Sequence, residues 1–147
     1  DILSLRWEDV RRESAYRRHI WIREQKTGKD NMFPVNPMMV EALEFYRHYL
    51  TGYSSEKYIF ESQKDRENPI SRSQAFRIIK KAADQCGLRE HISCHSLRKT
   101  FGYYAWKQGT PPALLMSIYN HSSYEITKRY LCIDQQEKDK VYMEIQL

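Results

Sequence analysis

The stretch Cys94-His95-Ser96-Leu97-Arg98-Lys99-Thr100-Phe101, continued by Tyr119-Asn120-His121-Ser122-Ser123 and by Thr127-Lys128-Arg129-Tyr130, decides how this chain is read. His95 and Arg98 are three residues apart, a spacing that puts two side chains on one face of a helix. From that face an Arg can clamp a phosphate with two parallel donors while a His donates beside it. His121 falls at a joint between two helical patterns, where a helix start exposes backbone N–H groups that suit an anion. Tyr130 follows nine residues later. Taken singly, each residue has an ordinary use. His95 reads as a helix cap beside a surface Arg, and His121 as a hydrogen-bond donor in a connector. Tyr130 reads as a core aromatic in a stripe with Ile126 and Ile133, its hydroxyl finding one partner.

The patterns around these residues are helical. Leu97, Phe101, Tyr104 and Ala105 recur at i, i+4, i+7 and i+8, predicting a helix over about His95 to Gln108 with those residues inward. Gly109 stops it. Thr110-Pro111 begins the next, buried through Leu114, Leu115 and Ile118, and Ser122-Ser123-Tyr124-Glu125 is a capping box that opens a third. Asp134 to Leu147 reads as a final short helix or tail.

Upstream the period changes. Ile2, Leu3, Leu5 and Trp7 read as the end of an apolar helix broken by Glu8-Asp9. Ile20 and Ile22 alternate with His19, Trp21 and Arg23, which predicts a strand. Lys26-Thr27-Gly28-Lys29-Asp30 is a turn, and Met32 to Val35 returns as a second strand. A first strand near Val10 to Ser14 would complete a small three-stranded antiparallel sheet. Asn36-Pro37 starts a helix, with Asn as cap and Pro at the first position. Val40, Leu43, Tyr46 and Leu50 mark its inner face. Tyr58-Ile59-Phe60 reads as a short buried segment. Ser71 or Ser73 caps a helix carrying Phe76, Ile79 and Ala83, which ends near Gly87. The expected fold is α+β and mainly α-helical, a single domain over residues 1–147.

Composition limits the partners. The formal net charge is +5 and the pI about 9.1, which favours an anionic partner. No apolar run approaches the roughly 18 residues of a membrane span. The three cysteines, Cys86, Cys94 and Cys132, form no C-x-x-C pair, so neither a disulfide framework nor a zinc site is expected, and a reducing cytoplasm fits. Lys26 and Lys29, at an exposed turn, either solvate it or make a polybasic tip for a phosphate backbone.

Together these residues resemble the catalytic domain of the tyrosine recombinase (phage integrase) family. Ile2 to Val10 is similar to the family's helix-to-sheet junction, and Lys26 to Pro34 to its β-hairpin with a catalytic Lys. His95-Ser96-Leu97-Arg98 resembles the H-x-L-R helix, and Tyr119 to Tyr130 the L-G-H-x(5)-T-x-x-Y block. The resemblance implies the family's DNA breaking–rejoining fold and a site-specific recombinase or integrase that uses neither metal nor nucleotide cofactor. Tyr130 would attack the scissile phosphate and form a 3′-phosphotyrosyl link. Arg98 would balance charge on the non-bridging oxygens. His95 would give general acid–base help, His121 a hydrogen bond to the phosphate, and Lys26, or else Lys29, the proton for the departing 5′-oxygen. Double-stranded DNA is the implied partner, contacted by Lys26, Lys29, Arg98 and Lys99, with a tetramer on DNA and a bacterial nucleoid or mobile-element setting. The segment after Tyr130, with Val141, Met143, Ile145 and Leu147, would dock either on a neighbouring copy or on its own domain.

Two departures from the pattern stand out. Asn120 occupies the usual Gly position, which Asn tolerates because it accepts left-handed backbone angles. The family's first catalytic Arg falls three residues before Asp1, outside this sequence, and Arg6 sits at the wrong motif position to replace it. The expectation is therefore an N-terminally truncated catalytic domain, without the core-binding or arm domain and inactive as a fragment. Competing readings are a type IB topoisomerase-like nicking–closing enzyme, a DNA-binding module without chemistry, and a basic helical interaction domain.

Overall fold

The computed structural model describes residues 1–25, 28–131 and 135–145. The chain divides into two compact units, Asp1–Ala75 and Phe76–Leu147. In the first, a 3₁₀ turn at Ile2–Ser4 leads into a short helix α1 (Trp7–Val10). The Glu8-Asp9 pair, expected to break a helix, instead begins one. The Asp9 carboxylate accepts the Arg6 backbone N–H at 2.7 Å, and negative charge in a first turn complements the helix dipole.

Two hairpins follow, β1 (Arg11–Arg12) with β2 (Ala15–Tyr16) and β3 (His19–Arg23) with β4 (Asp30–Pro34). The described strands thus form two separate two-stranded ladders in place of the expected three-stranded sheet. The reason is local. Glu13 adopts a left-handed conformation (φ 54°), which turns the chain back after two residues, so β1 pairs with its own sequel. In the second hairpin Ile20 lies opposite Phe33 and Pro34 opposite His19, where the missing N–H costs least at the strand end. Lys26 and Thr27, at the tip of this hairpin, lie outside the described residues; Lys29 is described and exposed.

Helix α2 (Pro37–His48) starts as its sequence predicts, with the Asn36 side chain accepting the Met39 N–H at 2.8 Å. The unit's core is Trp7, Val10, Ile20 and Ile59, with Leu43, Leu50 and Phe60 packed against it. Trp7 is stacked on Tyr46 and edge-on to Tyr53. Arg6 is committed here. Its guanidinium donates to the Glu56 carbonyl and, at 3.1 Å, to the Tyr58 hydroxyl, and lies 4.3 Å above that ring.

Helix α3 (Arg72–Gln85) is capped by Ser71, whose hydroxyl accepts the Gln74 N–H while the Gln74 side chain accepts the Ser71 N–H. The second unit then holds α4 (Cys94–Lys107), α5 (Pro112–Tyr119), α6 (Tyr124–Leu131) and α7 (Gln135–Glu144). Its core is Leu115, Tyr119 and Leu131, with Ala105, Trp106 and Tyr130 against it. Each fully buried leucine contributes roughly 1.5–3 kcal/mol relative to exposure.

The inward faces differ from the periodicity. Leu97, Phe101 and Tyr104 are more than half exposed; of the four expected residues only Ala105 packs on the core, and α4 buries Gly102 beside it. On α5 only Leu115 of the three expected positions is buried, because Tyr119 fills the space one turn further on. On α6 Ile126 is exposed while Thr127 and Leu131 are buried; Ile133 lies outside the described residues. Close helix packing here is made by small residues against one large ring, a pattern that apolar periodicity does not register. No described helix is long and apolar enough to cross a membrane.

Candidate active site

Helix α4 places His95 and Arg98 on its first turns. Its cap is Ser93, not His95: the Ser93 hydroxyl accepts the Ser96 N–H, and the Ser96 hydroxyl accepts the Ser93 N–H at 3.1 Å. His95 is thereby released from a capping role. Its exposed ring stands edge-on to Tyr130, centroids 4.9 Å apart.

The joint between α5 and α6 places His121. Asn120 has φ 55° and ψ 37°, the left-handed conformation expected of an Asn in this position, and the His121 N–H reaches back to the Met116 carbonyl at 3.0 Å. The chain turns sharply, and the His121 ring comes to rest 5.3 Å from Tyr130. The His121 Nδ1 lies 3.0 Å from the hydroxyl of the buried Thr127, one turn of α6 before Tyr130. The Thr127 hydroxyl also reaches the Ser123 carbonyl at 3.5 Å. Turned there it accepts from Nδ1–H; turned to Nδ1 it leaves the proton on the other ring nitrogen, which then serves as a donor.

Tyr130 is the point where these elements meet. His95, His121 and Tyr119 surround its ring, and the Lys99 ammonium lies 5.6 Å from its centroid. Its hydroxyl is buried and has no hydrogen-bond partner of ordinary geometry among the described residues. This departs from the core reading, in which a buried Tyr hydroxyl finds a partner. Burial raises the phenol's pKa above its ordinary value. The Arg98 charge and an N–H of the same guanidinium directed at the phenol oppose that rise without closing a regular bond. At neutral pH the phenol is protonated, so its use as a nucleophile requires an acceptor for that proton.

His121 shifts the opposite way. Burial, then the charge of Arg98, lower its pKa below 6.5, so the ring is neutral at neutral pH. Stability from this burial is present above pH 6.5 and lost as pH falls through the lowered value, since the unfolded chain takes up the proton first. An imidazole NMR titration should put the His121 midpoint below 6.5; a midpoint at or above it would refute this burial account.

The structure thus brings together His95, Arg98, Lys99, His121 and Tyr130. Tyr119 and Gly102 belong to the same cluster, yet nothing in their spacing singled them out. The signal was the unusual pair of a large aromatic before the joint and a Gly inside a helix. Among the described residues no cluster of His, Cys, Asp and Glu could hold a metal ion.

A tyrosine ringed by histidines and cations, on helices of this order, matches the arrangement expected of a tyrosine recombinase-type domain. The solved structure of XerA recombinase superposes on 99% of this chain with a TM-score of 0.75 at 20% identity, and the chain covers 51% of it. The XerH site-specific recombinase in its post-cleavage complex with a palindromic difH substrate matches over 97% of the chain and 40% of its own, with a TM-score of 0.65 at 19% identity. The phage integrase family pattern matches residues 1–137. Probable integrase/recombinase YoeC of Bacillus subtilis (strain 168) is 40% identical over 144 residues, 97% of this chain and 74% of that protein. The chain belongs to the phage integrase family. It spans about three quarters of the YoeC relative and about half of the XerA chain.

Proposed function

We propose that the protein is a site-specific DNA recombinase that works through a covalent 3′-phosphotyrosyl intermediate. The observation that carries this reading is the Tyr130 hydroxyl, buried without a hydrogen bond of ordinary geometry among the described residues, between two histidines and the Arg98 guanidinium directed at it.

In this reading the Tyr130 oxygen attacks a scissile phosphorus, the bond to the 5′-oxygen breaks, and the new phosphotyrosyl ester conserves the energy of the phosphodiester. His95 takes the phenol proton, as its ring next to Tyr130 suits it to do. Arg98 balances the charge that develops on the non-bridging oxygens. His121 donates to the same phosphate from the nitrogen opposite Thr127. Lys26, or Lys29 in its place, returns a proton to the 5′-oxygen. Rejoining is the reverse attack by a 5′-hydroxyl from another strand. The partner is double-stranded DNA, a role that suits the exposed His95 and Arg98, Lys99 and the net positive charge. The reading extends to a homo-oligomer on DNA, for which exposed Val141, Met143 and Ile145 offer docking residues; Leu147 lies outside the described residues.

The test uses the full-length protein and duplexes selected from random sequence by binding to it. A nick placed beside the cleaved phosphate lets the leaving fragment diffuse away. Covalent protein–DNA adduct should accumulate without added metal or ATP, and peptide mapping should find the DNA on Tyr130. Adduct on another residue, or none with any bound duplex, would overturn the proposal.

Binding itself should be strongly salt-dependent. Log affinity is expected to fall linearly with log salt, by a slope of about −0.9 for each phosphate neutralised. A flat dependence would point instead to an interaction domain that binds DNA incidentally.

A further inference from the structure

Resting on that reading, we propose that Tyr119 is a positioning residue of the site, holding Arg98, His121 and Tyr130 in one arrangement through a notch opened by Gly102. Tyr119 is only 5% exposed, so it acts through its neighbours and not on substrate. It grips Arg98 three times. Its hydroxyl donates to the Arg98 carbonyl at 2.7 Å, its own carbonyl accepts from the Arg98 guanidinium at 3.3 Å, and its ring lies 4.6 Å beneath that guanidinium. Backbone and side chain of one arginine are thus fixed to one tyrosine. The same ring stacks on His121, centroids 5.3 Å apart and 25° between planes, and packs at 5.1 Å against Tyr130.

Gly102 makes this fit possible. A Cβ at that position would lie 2.0 Å from the Tyr119 hydroxyl oxygen and 2.5 Å from Leu131 Cδ2, far inside any tolerated contact. The Leu of the motif that this sequence resembles at position 119 has no hydroxyl to reach α4 and no face for a guanidinium. Size at 119 and its absence at 102 are therefore two halves of one device. A tyrosine that merely filled the core would leave reaction rate unlinked to its ring once packing was restored, and that difference is measurable.

The experiment uses full-length protein and a nicked duplex shown to trap adduct. It reads single-turnover adduct rate at saturating DNA, duplex affinity and urea midpoint. Tyr119→Leu should slow adduct formation by about 30- to 100-fold, the scale of a small misplacement of reacting groups, with affinity within about three-fold. Tyr119→Phe keeps the ring and should recover most of that rate, remaining about three- to ten-fold slow for want of the bond to Arg98. Gly102→Ala should lower both rate and urea midpoint. In the Gly102→Ala/Tyr119→Leu double variant the midpoint should rise above that of Gly102→Ala while the rate stays at the Tyr119→Leu level, a non-additivity that separates packing from positioning. Wild-type rate in Tyr119→Leu, or joint recovery of rate and midpoint in the double variant, would overturn the inference. If Tyr119→Leu does not fold, Tyr119→Phe decides, and an unchanged rate counts against it. Adduct formed by Tyr130→Phe would sink the underlying recombinase reading and this inference with it, whereas wild-type rate in Tyr119→Leu with no adduct from Tyr130→Phe overturns this inference alone.

Discussion

Tyr130→Phe is expected to abolish the covalent DNA adduct, lowering its rate of formation by four orders of magnitude or more, about the scale seen when a nucleophile is removed. Duplex affinity should change by no more than about three-fold, because the deleted oxygen lies inside the protein and the surrounding cations remain to contact phosphates. The two readouts must be taken on the same protein and duplex. A binding module without chemistry gives no adduct with either residue, while a recombinase gives adduct with Tyr alone. Persistent adduct in the Phe variant would place the nucleophile elsewhere, and the buried hydroxyl would then need another explanation.

Arg98→Ala should have the next largest effect, a loss of about 10²–10³ in single-turnover adduct rate, typical of removing one preorganised stabiliser of developing negative charge. The change is not confined to the substrate side. The Tyr119 carbonyl loses its donor and the Tyr119 ring the cation above it, so the wall behind Tyr130 loosens as well. Arg98→Lys separates the contributions. A lysine restores one positive charge but neither the planar stack nor the paired donors, and should recover only part of the rate. The phenol also supplies a check on the electrostatics. Because Arg98 opposes the rise in the Tyr130 pKa, its removal should move the alkaline limb of the adduct rate to higher pH, and Lys should move it partly back. An Arg98→Ala protein with an unchanged rate would exclude Arg98 from the reaction.

The placement of His95, Arg98 and the turn before His121 was legible from local rules, whereas the role of Tyr130 and the chemistry assigned to all four residues rest on the resemblance. The i, i+3 pair of His95 and Arg98 follows from helical geometry alone, and the Asn120 turn follows from the backbone tolerance of Asn. The α2 and α3 starts were readable from Asn36-Pro37 and Ser71 for the same reason, since a cap is a bond between residues three apart. What escaped the sequence was long-range. Whether Leu97 and Phe101 face the core depends on where α5 and α6 lie, and these helices approach α4 at Gly102 and Ala105. Apolar periodicity gives a helix a preferred face, but a glycine opposite a tyrosine overrides it. The separate hairpins have a local origin instead: one left-handed non-glycine residue, Glu13, closes β1 onto β2 before β3 begins. The function of Lys26 against Lys29 rests on the resemblance, because the tip of that hairpin lies outside the described residues.

The Tyr130 hydroxyl, facing an Arg98 N–H without a hydrogen bond of ordinary geometry, has a thermodynamic side as well. A buried hydroxyl so imperfectly matched costs folding free energy, up to the roughly 1–3 kcal/mol of a wholly unmatched one. The Phe variant, chemically silent, should therefore unfold at higher urea than the natural protein. The fold would then be holding its reactive atom at a permanent loss of stability, and the most robust version of this domain would be one that no longer cuts DNA.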